Sequence, residues 1–394
     1  MDKRFFVVVT SGFDHLSAPR WLRVILLVVL PVLFGLPACA ANDNNRAEVR
    51  EFVAKLVRDD GFTSSEVKAT LREAKYQQVI IDAISRPAER TLAWKAYRRI
   101  FVTPGRIAQG VAFWKSNEDA LARVQSTYGV SPEIVVAIIG VETSYGRNTG
   151  SFQVLDALTT LAFDYPPRAP FFRDELEQYL LLTRDARIDP RTLKGSYAGA
   201  MGFPQFMPSS YRKFAVDFDG DGAKDLWRNP TDAIGSVANY FRGYDWLPGK
   251  PVAIQVIPAG AALDSLAGTD PEPKRRFSEV VGAVAPAGAD GVSGVSGVSG
   301  GEAGSAVPGD ELVAILKFDA DNGAEYWLGL HNFYVITRYN HSPMYAMAVF
   351  QLANALVAAR SKPVVAPTGD ESGATALQVP VTTEKQISET KHVQ

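Results

Sequence analysis

Residues 134–141 read IVVAIIGV, and the next residue is a glutamate, Glu142. A helix made of such a run has no polar stripe to turn toward water, so it has to be enclosed nearly all round. A chain that carries it must therefore build a core thick enough to surround one helix. Ser131 stands where an N-cap belongs, Pro132 suits the first turn, and Glu133 faces the positive end of the helix dipole. The pattern predicts a buried helix that starts after Ser131 and ends on Glu142. Glu142 lies four residues after Ile138 and three after Ile139, and shares their face. A carboxyl on that face is hard to ionise, so its pKa is expected to rise, as a general acid near neutral pH requires. Position alone leaves the opposite reading open, a surface glutamate on a last helical turn, because charged side chains are mostly exposed.

The first 41 residues read as a targeting segment. Lys3, Arg4, Arg20 and Arg23 precede the apolar run Val24 to Leu36, and small residues follow at Ala38, Cys39, Ala40 and Ala41. The run is short and broken by Pro31, which argues against a transmembrane helix. Cys39 is the only cysteine. Leu36-Pro37-Ala38 before it resembles a lipobox, so a lipid anchor on Cys39 is the preferred expectation, with cleavage after Ala40 as the alternative. Export to the periplasm follows either way, with the outer membrane as the place of any anchor. With one cysteine there is no internal disulfide, and stability must come from packing. The net charge of −2 supplies no basic field for nucleic acid, and a monomer is expected.

From Arg46 onward the patterns are helical: Arg46 to Arg58, Thr63 or Ser64 to Ala74, Val79 to Ser85, and Ala88 to Ile100. Pro104 opens a longer stretch running to Tyr128. Further helices are expected at Phe152 to Phe163, Phe171 to Ala186 and Pro343 to Ala359. Strand signals are confined to the later region, at Val252 to Ile257 and at Leu312 to Phe318, where Leu312, Ala314, Leu316 and Phe318 fall on one side. Ala283 to Gly309 contains GVSGVSGVSG and reads as a flexible insertion. Residues 361–394 read as a disordered tail. The fold class expected is α+β, mainly α.

Two further stretches carry chemistry. In VDFDGDGAKDLWRNPTD (Val216 to Asp232), Asp217, Asp219 and Asp221 fill the first, third and fifth places of an EF-hand loop, and Gly222 supplies the turn at the sixth. The Ala223 carbonyl would be the next ligand, and Asp225 at the ninth place could bind directly or through water. The twelfth place is Arg228 instead of a glutamate, so Asp232 is the nearest acid that could complete the site. Structural calcium is the expected occupant. Gly195 to Tyr211, GSYAGAMGFPQFMPSSY, combines small residues with polar edges and aromatic faces, a composition suited to a sugar groove and equally to tight helix packing.

VETSYG (Val141 to Gly146), GAMGFPQFMPSSY (Gly199 to Tyr211), the DFDGDG loop, DAIGSVANYF (Asp232 to Phe241) and WLGLHNFYVITRYN (Trp327 to Asn340) together resemble the bacterial lytic murein transglycosylases of the B type, glycoside hydrolase family 103. The resemblance spans about Arg46 to Leu356. It implies a goose-type-lysozyme-like catalytic core with an added α region and a small β region at about 250–330, all within 42–360. It implies cleavage of the MurNAc–GlcNAc bond of peptidoglycan glycan strands without water, giving 1,6-anhydromuramoyl ends. Glu142 maps onto the family's catalytic acid. Ser196, Gln205, Tyr240, Tyr339, Asn340 and Tyr345 map onto its groove. Asp217, Asp219, Asp221, the carbonyl of Ala223 and, with one residue extra in the loop, Asp232 map onto its calcium site. No organic cofactor is implied.

One carboxyl suits that chemistry, because an ordinary glycosidase needs two. No second acid lies in a comparable apolar stretch. The histidines lack zinc-site spacing, and no G-x-S-x-G elbow is present. A hydrolytic muramidase of the same fold and a non-catalytic, calcium-stabilised wall-binding protein remain as alternatives from sequence.

Overall fold

The computed structural model describes residues 46–85, 92–260, 262–286 and 307–361. The targeting segment, Cys39, most of the Gly/Ser insertion and the tail beyond residue 361 lie outside these. The described residues belong to one compact unit.

The chain begins with α1 (Ala47–Asp59), α2 (Ser64–Glu73), α3 (Gln78–Ile84) and α4 (Trp94–Phe101). Thr63, one of the two expected starts of this helix, is its N-cap and closes a capping box with Glu66. The long helix expected from Pro104 is two helices, α5 (Pro104–Ser116) and α6 (Glu118–Tyr128). Asn117 breaks it: its side chain donates to the Phe113 carbonyl at 2.8 Å, competing with the backbone ladder.

α7 (Pro132–Thr143) is the predicted central helix, and all twelve of its residues are buried. α5, α6, α11 (Pro230–Arg242) and α15 (Pro343–Arg360) pack around it. Ser131 occupies the N-cap position, but its side chain makes no capping hydrogen bond. Glu133 is 5% exposed, not a solvated first-turn acid, and burial raises its pKa. Among the described residues, no single helix is long and apolar enough to cross a membrane.

A two-stranded pair precedes the next helices. β1 (Phe152–Gln153) joins β2 (Lys194–Gly195) antiparallel, and between them run α8 (Val154–Asp164) and α9 (Ala169–Asp185). Strands are thus not confined to the later region, since this pair is made by a contact across the chain instead of a local pattern. α10 (Pro208–Phe214) follows β2.

The second part of the fold is a five-stranded antiparallel sheet. Its strands are β3 (Ala253–Pro258), β4 (Arg275–Arg276), β5 (Val284–Pro286), β6 (Leu312–Ala320) and β7 (Gly323–Gly329), in the order β4-β6-β7-β3-β5. β5 occupies the first residues of the stretch expected to be a flexible insertion, because its edge pairs with β3. The alternation read in β6 is only half of its pattern. Ala314, Leu316 and Phe318 join the main core, while Val313 and Ile315 pack with Leu263 of α12 (Ala262–Leu266) and Val280 of α13 (Phe277–Val280) in a second core; Leu312 is exposed. The sheet is covered on both faces, so both sets of residues are apolar. α14 (His331–Ile336) then leads back to α15 beside α7.

Candidate active site

Glu142 occupies the penultimate position of α7 and is 1% exposed. The surface alternative is thereby removed. Helix α7 stops one residue later: Ser144 and Tyr145 both take left-handed φ, at 51° and 62°, and the Ser144 amide donates to the Gly140 carbonyl. The Thr143 hydroxyl lies 3.0 Å from the Phe203 carbonyl and accepts from the Gly146 amide. The Gly195 to Tyr211 stretch is thus tied to the residue next to the acid. Arg106, 7% exposed, donates to the Gly140 carbonyl at 3.1 Å and stacks over Phe101 at 5.5 Å. Sequence reading missed this arginine; a single cation in a mixed stretch of α5 carries no local sign that it turns inward.

The residue that meets the acid is Tyr345, in the first turn of α15. Its hydroxyl donates to Glu142 Oε1 at 2.5 Å. Burial and the neighbouring Glu142 charge hold the Tyr345 pKa well above its usual 10, so it stays a donor. Tyr339 stacks on Tyr345 with ring centroids 6.4 Å apart, and Tyr240 packs on Tyr339 at 4.8 Å. The Tyr339 hydroxyl donates to the Pro204 carbonyl at 2.6 Å, and the Tyr240 hydroxyl donates to the Arg338 carbonyl at 2.5 Å. The hydroxyls of these two tyrosines are therefore spent on the backbone, and their rings pack in the aromatic cluster beside Tyr345.

The Gly195 to Tyr211 stretch is shaped by its own polar groups. Ser196, 1% exposed, accepts the Ala198 and Ala200 amides on its Oγ. Gln205 takes a positive φ of 50°, and its amide nitrogen donates to the Gly202 and Thr149 carbonyls at 2.9 and 3.1 Å. Asn340 accepts the Ser342 amide at 3.1 Å and sets the turn into α15. The structure thus joins Glu142, Tyr345, Tyr339 and Tyr240 in one contact chain, with Gln205 next to Pro204. Ser196 and Asn340 are placed through their own turns.

Three other buried acids are bonded elsewhere. Asp156 accepts the Lys75 amide and the Gln77 side chain, Glu175 accepts both the amide and hydroxyl of Ser209, and Glu177 pairs with Lys55. Glu133 stands nine residues before Glu142 on the same helix, about 13–14 Å away along its axis. That exceeds the separation of about 5–9.5 Å used by paired glycosidase carboxylates. Among the described residues, Glu142 is the buried acid that meets Tyr345.

The Asp loop is joined to the Gly195 to Tyr211 stretch. The Phe203 amide donates to the Leu226 carbonyl at 2.8 Å, linking the two. Ligand atoms of Asp217, Asp219 and Asp221 all lie within 4.8 Å of one another. Two oxygens on one calcium ion stand at most about 5 Å apart, so this donor set fits the ion. Asp217 accepts the Gly220, Asp221 and Gly222 amides, which shape the turn, and Ala223 follows with its amide on Asp221. Asp232 is fully buried behind the loop. Its two oxygens accept the Phe218 and Asp225 amides at 2.7 and 2.9 Å, outside the trio. Asn229 caps α11 and donates to Asp219 at 2.7 Å.

The profile of the Transglycosylase SLT domain matches residues 44–354. The chain belongs to that family. It is a lytic transglycosylase with a lysozyme-like, mainly α fold. It is 42% identical over 325 residues to the membrane-bound lytic murein transglycosylase B of Escherichia coli (strain K12), covering 80% of this chain and 84% of that one. The catenated lytic transglycosylase SltB1 from Pseudomonas aeruginosa superposes with a TM-score of 0.73 at 48% identity, covering 81% of this chain and 99% of that one. The Escherichia coli Slt35 in complex with calcium superposes with a TM-score of 0.71 at 42% identity, covering 81% and 96%.

Proposed function

We propose that this transglycosylase cleaves the MurNAc–GlcNAc bond of peptidoglycan with Glu142 as acid and then base. The observation that carries the reading is one enclosed carboxyl, hydrogen-bonded by Tyr345, with Asp156, Glu175 and Glu177 bonded to other groups and Glu133 about 13–14 Å away along the helix. The protonated Glu142 gives its proton to the glycosidic oxygen as the C1–O4 bond breaks. The acetamido oxygen of the same muramoyl ring closes on C1 and carries the developing positive charge. Glu142, now a carboxylate, removes the proton from the 6-hydroxyl. O6 then attacks C1 and displaces the acetamido oxygen, leaving a 1,6-anhydro end and a protonated Glu142. No water enters the balance. Tyr345 orients the acid through its hydrogen bond, and Ser196, Asn340 and Gln205 are assigned to the acetamido group and the sugar edges. Tyr240 and Tyr339 form the wall on which the sugar lies.

The deciding experiment is a zymogram on purified sacculi with mass analysis of the products. Glu142→Gln should lower release at least about a hundredfold while remaining folded. Wild-type products one water lighter than hydrolytic muropeptides support the reading. Full-mass products from the wild type, or a Glu142→Gln protein as active as wild type, would refute it.

The donor set at Asp217, Asp219, Asp221 and the Ala223 carbonyl is assigned to calcium, which supplies positive charge to a loop dense in carboxylates. Asp232 is assigned the role of bracing that loop from behind. The related Slt35 complex with calcium supports this. Periplasmic placement, with an acyl chain on Cys39, is supported by the lipobox-like flank and by the membrane-bound relative. Cys39→Ser should release the protein from the membrane fraction.

A further inference from the structure

Among the described residues, Arg106 is the only basic side chain that is buried. A charge taken out of water is costly unless its donors are used, so what this one holds decides what it is for. It rises from α5 and donates to the Gly140 carbonyl at 3.1 Å. That carbonyl also accepts the Ser144 amide, the bond that closes the last turn of α7. Glu142 lies inside this turn, two residues past Gly140, or about 3 Å of helix rise. The arginine therefore grips the turn that carries the acid.

A second contact holds the same turn from the side. Ser144 and Tyr145 take left-handed φ, which folds the chain back so that the Tyr145 ring enters between α5 and α7. Two glycines make room for it. A Cβ on Gly110 would stand 2.2 Å from the Tyr145 hydroxyl oxygen, and one on Gly140 would stand 2.6 Å from it. Glycine is unfavourable inside a helix, and neither of these has the positive φ that would call for it, so their use here is the space they leave. Gly110 lies one turn beyond Arg106 on the same face of α5. The Tyr145 hydroxyl has no hydrogen-bond partner, so the ring acts by filling the slot, with Phe113 packed on it at 5.5 Å.

We propose that Arg106 and the Tyr145 ring are positioning residues for the reaction: together they fix the last turn of α7 and with it the direction of Glu142. The proposal rests on the reading of Glu142 as acid and then base. A guanidinium at the carbonyl end of a helix also offsets the negative end of its dipole, which favours the carboxylate formed after the first step. The other groups around Glu142 are neutral or remote. Tyr345 and Tyr339 feel its charge and stay protonated, and Tyr97 of α4 and Tyr240 of α11 couple to them in turn. On α6 every charged side chain is exposed, as are Lys115 of α5, Arg242 of α11 and Arg360 of α15. Asp232 of α11 is bonded to the Asp loop, and Glu133 lies at the far end of α7.

The test compares variants on soluble peptidoglycan strands, with anhydromuropeptide release measured across pH and thermal melting as the control for folding. Arg106→Met should lower kcat about tenfold or more and leave KM within about twofold. The alkaline limb of its pH–rate profile should move up by about half a unit, because the carboxylate loses a neighbouring cation. Arg106→Lys keeps a cation, so its limb should stay at the wild-type position. A limb that Arg106→Met leaves in place, or that Arg106→Lys moves as far, would overturn the proposal. Where Arg106→Met does not melt cooperatively, Arg106→Gln takes its place with the same expectations. Tyr145→Ala should also lower kcat at unchanged KM, and Tyr145→Phe, which keeps the ring, should recover most of the loss. A Phe variant as impaired as the Ala variant would overturn the role given to the ring. Activity that survives Glu142→Gln would sink the acid reading itself, whereas a Glu142-dependent enzyme indifferent to Arg106 would sink the positioning alone.

Discussion

Replacing Tyr345 by Phe removes one atom from the centre of the site. Its hydroxyl lies 2.5 Å from Glu142 Oε1, both residues are essentially closed to solvent, and Tyr339 stacks on the other side of the ring. A hydrogen bond to a charged group contributes about 1.5–3 kcal/mol. The hydroxyl donates to the carboxylate form, so its loss disfavours ionisation of Glu142. Converted at about 1.4 kcal/mol per pH unit, the alkaline limb of the pH–rate profile should move up by about 1–2 units. The limb falls at high pH because the first step needs the protonated acid. Tyr345 itself does not titrate in this range, since burial and Glu142 hold its pKa well above 10. At the plateau, turnover should drop about tenfold or more, because the acid loses the contact that orients it. The assay is anhydromuropeptide release from sacculi across the pH range, with thermal melting as a control for folding. A limb that stays in place or moves to lower pH would refute the reasoning, as would a Phe variant of wild-type activity.

Calcium at a hundred times its Kd should stabilise the protein by about 2.7 kcal/mol, and chelator or Asp217→Asn should remove the effect; a melting midpoint indifferent to calcium would contradict the site. Glu133→Gln should stabilise the protein at neutral pH. Burial raises the Glu133 pKa above its ordinary 4.5, so the folded state holds its proton longer and wild-type stability declines as pH rises from about 4.5 through the folded value. Urea melts should show the variant ahead of wild type near pH 7 and level with it near pH 4. Gly150→Ala should destabilise by more than about 1–3 kcal/mol in the same assay, because φ is +91° there and an added Cβ would stand 2.0 Å from the Gly195 carbonyl oxygen.

The helices were legible in the sequence where one periodic pattern or one cap set them, as in α2, with Thr63 or Ser64 at its start, and in α7. The break at Asn117 was not, since the apolar spacing continues across it and only a side-chain bond to Phe113 ends α5. β1 and β2 escaped notice for a different reason: two residues carry no period, and their pairing is made across two helices. The buried half of β6 was hidden because covering the sheet's second face depends on α12 and α13 arriving there. In the Asp loop, the trio was legible because EF-hand spacing is local, whereas the place of Asp232 depends on how α11 packs under the loop.

By itself, then, the sequence determined a helix that must be enclosed, a glutamate at its end, and a turn rich in oxygen ligands. These follow from composition and spacing within about a dozen residues, the range over which backbone period and capping act. Tertiary structure alone decided that Glu142 is buried, that Tyr345 from 203 residues away is its partner, and that Tyr240 and Tyr339 give their hydroxyls to the backbone. Those contacts depend on where α7 and α15 cross, and that crossing is fixed by the packing of the whole core.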